Sequence, residues 1–221
     1  MTDAHCHVSC GDPSVREFLI GRDFFGIHPW KTLGEEFKVE SVKTLRALLL
    51  AHPCAGVGEI GLDRLKVRDI PPLMREVFIS QLKLALELRR PVVLHGAKCW
   101  GQVVTAIRSN PQSLNPLLFH GFSRSDGLIP DIVKLNGFIS VGPAVLNDHA
   151  VNYRELVKKI PLDRLLLETD RVAPPCDGPS IRDVLAKTAE LRGISAAELE
   201  KITDENAEKF FPTCASGEFS I

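Results

Sequence analysis

Seven short apolar runs, most of them ending on a histidine or a carboxylate, constrain this chain more than any other feature. They occupy residues 3–7, 23–27, 55–62, 91–95, 116–120, 137–142 and 164–170. Between them lie segments with helical spacing at 39–51, 72–90, 101–108, 128–135, 151–159, 181–192 and 195–210, with a further short helix expected at 15–20. In the first of these, Val39, Val42, Leu45, Leu48 and Leu49 recur on one face with charged residues between them. Ser195 and Glu198 have the spacing of a capping box at the start of the last. Strands that are uninterrupted apolar runs are buried on both faces, and their alternation with amphipathic helices implies a parallel sheet covered by helices.

His5, His7, His28, Glu59, His95, His120 and Asp170 all fall at or near the C-terminal ends of the expected strands. That is where α/β folds gather their chemistry. An open sheet would spread these ends along a line, whereas a ring brings them to one mouth. The expected fold is therefore α/β and TIM-barrel-like, and the unbroken alternation makes residues 1–221 one domain.

Composition sets looser bounds. With 44% hydrophobic and 25% charged residues the chain has enough apolar surface for a full core. A net charge of −1 gives no global field that would attract nucleic acid. The six cysteines (6, 10, 54, 99, 176 and 214) form no Cys-x-x-Cys pair and are expected to be reduced thiols. A motif beginning at residue 3 leaves no room for a signal peptide, and no apolar run approaches about 18 residues. A soluble, cytoplasmic protein with no membrane association and no obligate protein partner is the expectation.

The polar residues have the character of metal ligands. In Asp3-Ala4-His5-Cys6-His7 the two histidines are two apart, so on a strand both imidazoles face one side. Glu59 stands in an otherwise apolar strand, where an unpaired carboxylate is costly and needs either a buried arginine or a cation. His95 and His120 each end an apolar run and precede a glycine. Singly, each reads as a core histidine, and Asp170 as a helix cap. Together, four histidines and two carboxylates suffice for two adjacent ions sharing one carboxylate. Mixed nitrogen and oxygen donors suit Zn, Mn, Mg, Ni or Co alike.

The chain resembles the TatD family of metal-dependent hydrolases, within the amidohydrolase-like barrels, and is similar to it from end to end. The matching stretches are AHCH at 4–7, GIHPW at 26–30, GVGEIGLD at 56–63, PVVLH at 91–95, FHGFS at 119–123, GFISVG at 137–142 and LLLETD at 165–170, with Asn206 and Phe210 near the end. The resemblance implies a metal-dependent phosphodiesterase or deoxyribonuclease that uses a water activated by two divalent ions. His5, His7, Glu59 and Asp170 would hold one ion, and Glu59, His95 and His120 the other. Asp170 and Glu59 would be catalytic, and His28 would contact substrate phosphate. Lys98 is the nearest match to a family basic residue, and Arg124 is a second substrate-binding candidate among mouth cations that also include Lys31, Arg64 and Arg171. Asp3 and Asp63 are candidates for orienting ligand imidazoles. Phosphoester or DNA is the implied substrate. Amide, ester or lactone hydrolysis at the same site is the alternative, and a non-enzymatic binding protein a further one.

Two departures stand out. Only residues 8–25 separate the first His-x-His from GIHPW, too few for the two helices and a strand the family has there. One βα unit is thus expected to be missing, leaving seven strands, a ring gapped on that side, and the 23–28 strand as direct neighbour of the first. The family's Asn-Glu-Pro block after LLLETD is replaced by Cys-Asp-Gly-Pro-Ser at 176–180.

Overall fold

The computed structural model describes residues 1–34, 40–110, 115–174 and 178–212. Val39, Cys176, Asp177 and Cys214 lie outside the described residues. The strands are β1 (Thr2–Cys6), β2 (Arg16–Leu19), β3 (Phe24–Phe25), β4 (Gly56–Asp63), β5 (Val92–Ala97), β6 (Leu117–Phe119), β7 (Gly137–Val141) and β8 (Leu165–Leu167). The α-helices are α1 (Glu40–Ala51), α2 (Pro72–Glu87), α3 (Trp100–Arg108), α4 (Ile129–Lys134), α5 (Val151–Lys159), α6 (Ile181–Arg192) and α7 (Ala196–Phe210). No described helix is long and apolar enough to cross a membrane.

Strands β3 to β8 form one parallel sheet in sequence order, and β1 and β2 form a separate parallel pair. A single bridge, Ile20 to Phe24, links that pair to β3. On its other side, Asp170 N donates to His5 O at 3.0 Å and His7 N to Arg171 O at 2.8 Å. The architecture is thus the expected TIM-barrel-like α/β fold, with the hydrogen-bonded ladder interrupted on both sides of β1–β2.

The strand count needs correction. Eight strands are present among the described residues, not seven, and β2, not the 23–28 segment, follows β1 in sequence and pairs with it. The segment read as a short helix, 15–20, contains β2. Six residues with apolar positions at 15, 18, 19 and 20 fit either period, so spacing could not decide. What the short connection lacks is helix: residues 7–15 carry the chain from β1 to β2 with none.

The core has two layers. Inside the ring, β1, β2, β3, β5, β6, β7 and β8 contribute Ala4, Phe18, Phe24, Val93, Leu118, Phe138 and Leu166, and the end of α7 adds Ala207, Phe210 and Phe211. Their neighbours Leu94, Leu117, Phe119, Ile139, Leu165 and Leu167 point outward to the helices, as strand alternation requires. Phe24 stacks on Phe210 at 5.9 Å, and Phe211 packs on Phe18 and Phe24 at 5.0 and 4.7 Å. Helix α7 also holds the entry to β8, where Asn206 Nδ2 donates to Leu162 O and Leu165 O at 2.7 and 2.9 Å.

Local capping differs from the expectation in one detail. Ser195 Oγ accepts from Glu198 N at 3.1 Å, which is half of the box at α7. The complete box stands at α6, between Ser180 and Asp183. The cysteine expectation is also corrected: Cys10 and Cys54 are disulfide-bonded, while Cys6 and Cys99 are free and buried.

Candidate metal centre

The strand ends meet as the sequence implied, and β4 supplies the residue between them. Its pairing with β5 slips by one residue between Val57 and Ile60, so Glu59 sits in a bulge. A bulge re-aims a side chain, here a carboxylate toward the mouth of the ring. Gly61 keeps β4 close to β5: its φ is +152°, and a Cβ would lie 2.0 Å from His95 O. Because β3 is only two residues long, His28 depends on a side chain for its placement. The buried Gln81 of α2 accepts from Ile27 N at 2.7 Å and donates to Ile27 O at 3.2 Å.

Glu59 faces two groups, one with each carboxylate oxygen. Its Oε2 lies 3.9 Å from His5 Nε2 and 3.7 Å from His7 Nε2, and Asp170 Oδ1 lies 3.5 and 3.6 Å from the same nitrogens. Donors about 2.0–2.2 Å from a shared ion stand roughly 3–3.6 Å apart, so Asp170 has coordination spacing to both imidazoles and Glu59 lies within a few tenths of an ångström of it. Both ring nitrogens of His5 and Nδ1 of His120 are buried without a hydrogen-bond partner. Orphaned buried donors of this kind are rare and call for a ligand. The residues therefore fit a cation.

The second group is held by hydrogen bonds. Glu59 Oε1 lies 2.5 Å from both His95 Nδ1 and His120 Nε2, and His28 Nε2 lies 3.7 Å away. His28, Glu59 and His95 offer ligand atoms within 4.8 Å of one another. His28, read from the sequence as a phosphate contact, thus lies beside the second group. His95 Nε2 pairs with Asp63 Oδ2 at 2.7 Å, and Asp63 also accepts from the Trp30 side chain. A carboxylate behind a ligand imidazole fixes its ring and tautomer, the role expected of Asp63.

Asp3 behaves otherwise. It touches no imidazole. Its oxygens accept from Thr169 N at 3.0 Å, Thr169 Oγ1 at 2.6 Å and His5 N at 3.4 Å. It therefore ties the backbone of β1 to the segment after β8, which sets His5 beside Asp170. Arg171 is likewise not a free mouth cation. It donates to Val8 O and to buried Glu17 at 3.3 and 3.4 Å, and Glu17 also accepts from Cys10 N at 2.9 Å and from Ser9 Oγ. These contacts hold the 7–15 loop, and His7 with it. Asp3, Cys6 and Glu17 form another compact acidic group, but those bonds already occupy its carboxylates. Lys98 and Arg124 are exposed on the turns after β5 and β6, each with a left-handed backbone, φ +57° and +59°. Asp170 shares that conformation at φ +49°, a departure common at functional sites.

Glu168 is a site residue that the sequence did not single out. It is 1% exposed and accepts from Gly121 N at 2.7 Å and Ser140 Oγ at 2.5 Å, with Oε2 3.9 Å from His120 Nδ1. Its place beside Asp170 in an apolar strand was the available signal.

Electrostatics follow from burial set against neighbours. Burial, reinforced by the His120 charge, lowers His5 to about 4, so it is a neutral imidazole at pH 7. Burial also lowers His28 to about 4. Burial disfavours the His120 cation, but Glu59, Glu168 and Asp170 outweigh it and raise it to about 10. The same balance, with Asp63 and Glu59 prevailing, raises His95. Burial would raise Glu59, yet His120 and His95 hold it well below the usual carboxylate range. Burial lifts Glu168 to about 7. One group thus presents the neutral ring of His5, and the other holds protons where a cation would bind.

Comparison with known proteins agrees with this geometry. The TatD-related DNase profile matches residues 21–212. An uncharacterized metal-dependent hydrolase of Bacillus subtilis, YabD, is 30% identical over 194 residues, covering 84% of this chain and 75% of its own. The 3'-5' ssDNA/RNA exonuclease TatD of Erwinia tasmaniensis is 30% identical over 202 residues, covering 84% of this chain and 76% of its own. Among solved structures, the TatD homologue YjjV of Escherichia coli superposes with a TM-score of 0.73 at 26% identity, covering 91% of this chain and 78% of that one.

Proposed function

Since this chain belongs to the TatD-related DNase family of metal-dependent hydrolases, we propose that the bond it hydrolyses is a phosphodiester, with DNA ends among its substrates, and that it works with two divalent cations. One observation carries this reading: Glu59 gives one oxygen to each of two ligand groups, Oε2 to His5 and His7 and Oε1 to His95 and His120. The exonuclease name of the Erwinia relative supports nucleic acid as the substrate class.

His5, His7, Glu59 and Asp170 would hold one cation, and Glu59, His95 and His120 the other, with His28 close to the second. Bound there, the cations would supply Lewis-acid polarisation of the phosphoryl oxygens and a more acidic water. The chain's own residues do the rest. Asp170, the most exposed member of the set at 47% of its side chain, is placed to take the proton of the attacking water. His28 Nδ1 accepts from Trp30 N at 3.2 Å, which leaves Nε2 as the protonated nitrogen. Being neutral, His28 donates a hydrogen bond and does not neutralise phosphate charge. Lys98 and Arg124 bring positive charge to the rim, where it steers and orients an anionic substrate.

Metal analysis followed by turnover assays with a DNA oligonucleotide, a model phosphodiester, an amide and a lactone tests the proposal. Phosphodiester hydrolysis lost on chelation and restored by divalent ions is expected. Amide or lactone hydrolysis without any phosphoester turnover would overturn it.

A further inference from the structure

The metal groups open on one side into a cleft of about 1180 Å³ whose lining includes Glu168, Thr169 and Asp170 at one end and α5 at the other. We propose that this cleft seats the uncharged organic half of a small phosphoester, a group of nucleoside size, and that the protein's preferred substrates are correspondingly short. The proposal rests on the phosphodiesterase reading and names the substrate class for it.

Three observations favour a small neutral occupant over a polymer. The first is charge. Beyond Glu168 and Asp170, the lining carries two formally cationic and two anionic side chains, Arg124 and Lys159 against Asp126 and Glu155. Lys159 is bonded to Asp126 at 2.5 Å, and Glu155 to Lys158 at 2.6 Å. A groove that tracks a polyanion needs a run of unpaired cations and successive aromatic platforms. Here Arg124 alone has no carboxylate partner among the described residues. The one aromatic ring in the lining besides His149, Tyr153, has its hydroxyl engaged by Gly142 N at 3.0 Å.

The second observation is shape and lining. The volume, about 1180 Å³, lies somewhat above the roughly 300–1,000 Å³ of small-molecule sites. The walls combine apolar surface from Pro143, Ala144 and exposed Val151 with hydrogen-bonding groups of Ser123 and Asn152. That mixture suits a sugar and base, which present apolar faces together with hydrogen-bonding edges.

The third is the opposite rim. There two of the cations are engaged, Arg171 by Glu17 at 3.4 Å and Lys66 by the face of Trp30 at 3.6 Å, which leaves Lys98 as a single exposed charge on the turn after β5. A strand crossing the mouth would leave the balanced cleft and meet scattered cations, not the continuous run that holds a polyanion. The phosphate lies over the metal groups, and the organic group fills the cleft.

The test compares thymidine 5'-monophosphate with inorganic phosphate by titration of the manganese-loaded and the chelated protein, in wild type and in Ala144→Trp and Asn152→Trp. Wild type should bind the nucleotide at least about tenfold more tightly than phosphate, and the tryptophan variants should erase that margin while retaining bound metal. In turnover, kcat/KM on oligonucleotides should stop rising beyond two or three residues. Equal binding of both probes, or a kcat/KM that keeps rising with oligonucleotide length, would overturn the proposal. Nucleotide preference without hydrolysis of any phosphoester would uphold the cleft and sink the phosphodiesterase reading. Hydrolysis with no nucleotide preference would do the reverse.

Discussion

The two sides of this ring are held by different forces. From β3 to β8 every strand pairs with the next through a parallel ladder, interrupted by the bulge at Glu59, and five neighbouring pairs share the load. Around β1 and β2 the ladder gives way to one bridge, a few backbone bonds and a set of side chains: Asp3 on Thr169, Arg171 on Glu17, and Phe18 and Phe24 on Phe210 and Phe211. Yet both sides deliver ligands to one point. A ring can lose the helices of a βα unit and keep its metal centre if side-chain contacts replace the missing ladder and the missing cover. The expected consequence is that single side chains matter more on the β1–β2 side, because each carries what several backbone bonds carry elsewhere.

The largest effect should come from the residue that both sides share. Glu59→Gln should lower hydrolysis by roughly 10²–10³-fold or more and weaken both cation positions, read by elemental analysis of the folded variant. Two tightly held ions in that variant would show that the two sides bind metal independently.

Stability changes come next. Phe210→Ala removes the ring on which Phe24 stacks and should cost about 3–5 kcal/mol. Arg171→Ala leaves buried Glu17 without its cation and should cost about 3 kcal/mol, with faster amide exchange confined to residues 7–19. Equal acceleration in β5 to β7 would erase the contrast between the two sides, since those strands do not depend on this pair.

Proton competition gives a third measure. His120 is raised from 6.5 to about 10 in the folded chain. A group with a raised pKa binds its proton more tightly when folded. Its stabilisation is full below about 6.5 and is lost as pH climbs through about 10. Chelated protein should therefore lose Tm between those values, whereas metal-loaded protein, whose rings must be neutral to ligate, should not. Metal uptake should release protons from the His95 and His120 side, while neutral His5 contributes none. A Tm that falls equally with and without metal would contradict this.

The smallest effect belongs to the rim. Lys98→Ala or Arg124→Ala should lower kcat/KM on DNA about two- to fivefold, fading at high salt. A salt-independent loss of a hundredfold would place either residue in the reaction itself.

Much of this was legible in the sequence because ligand type and strand end coincide. His5, His7, Glu59, His95, His120 and Asp170 could be named from apolar runs that stop on a donor, and the structure brings all six together. Segments with a long helical period, such as α5 and α6, kept their expected bounds. β2 was missed because four residues carry too little pattern to separate a period of 2 from one of 3.6. Glu168 was missed because a carboxylate in a strand declares burial only once its partners are known. That Cys10 and Cys54 are each disulfide-bonded was missed for a similar reason, as spacing along a chain says nothing of distance across a fold.

The sequence by itself determined the class of fold, the end of the ring that carries chemistry and the set of donors, because each follows from local period and residue type. Tertiary structure alone decided how those donors divide. It put one oxygen of Glu59 on each group, set Asp63 behind His95 and Asp3 behind the backbone instead, and made His28 neutral by burial. Those outcomes depend on distances of a few ångströms between residues far apart in the chain, and only packing fixes them.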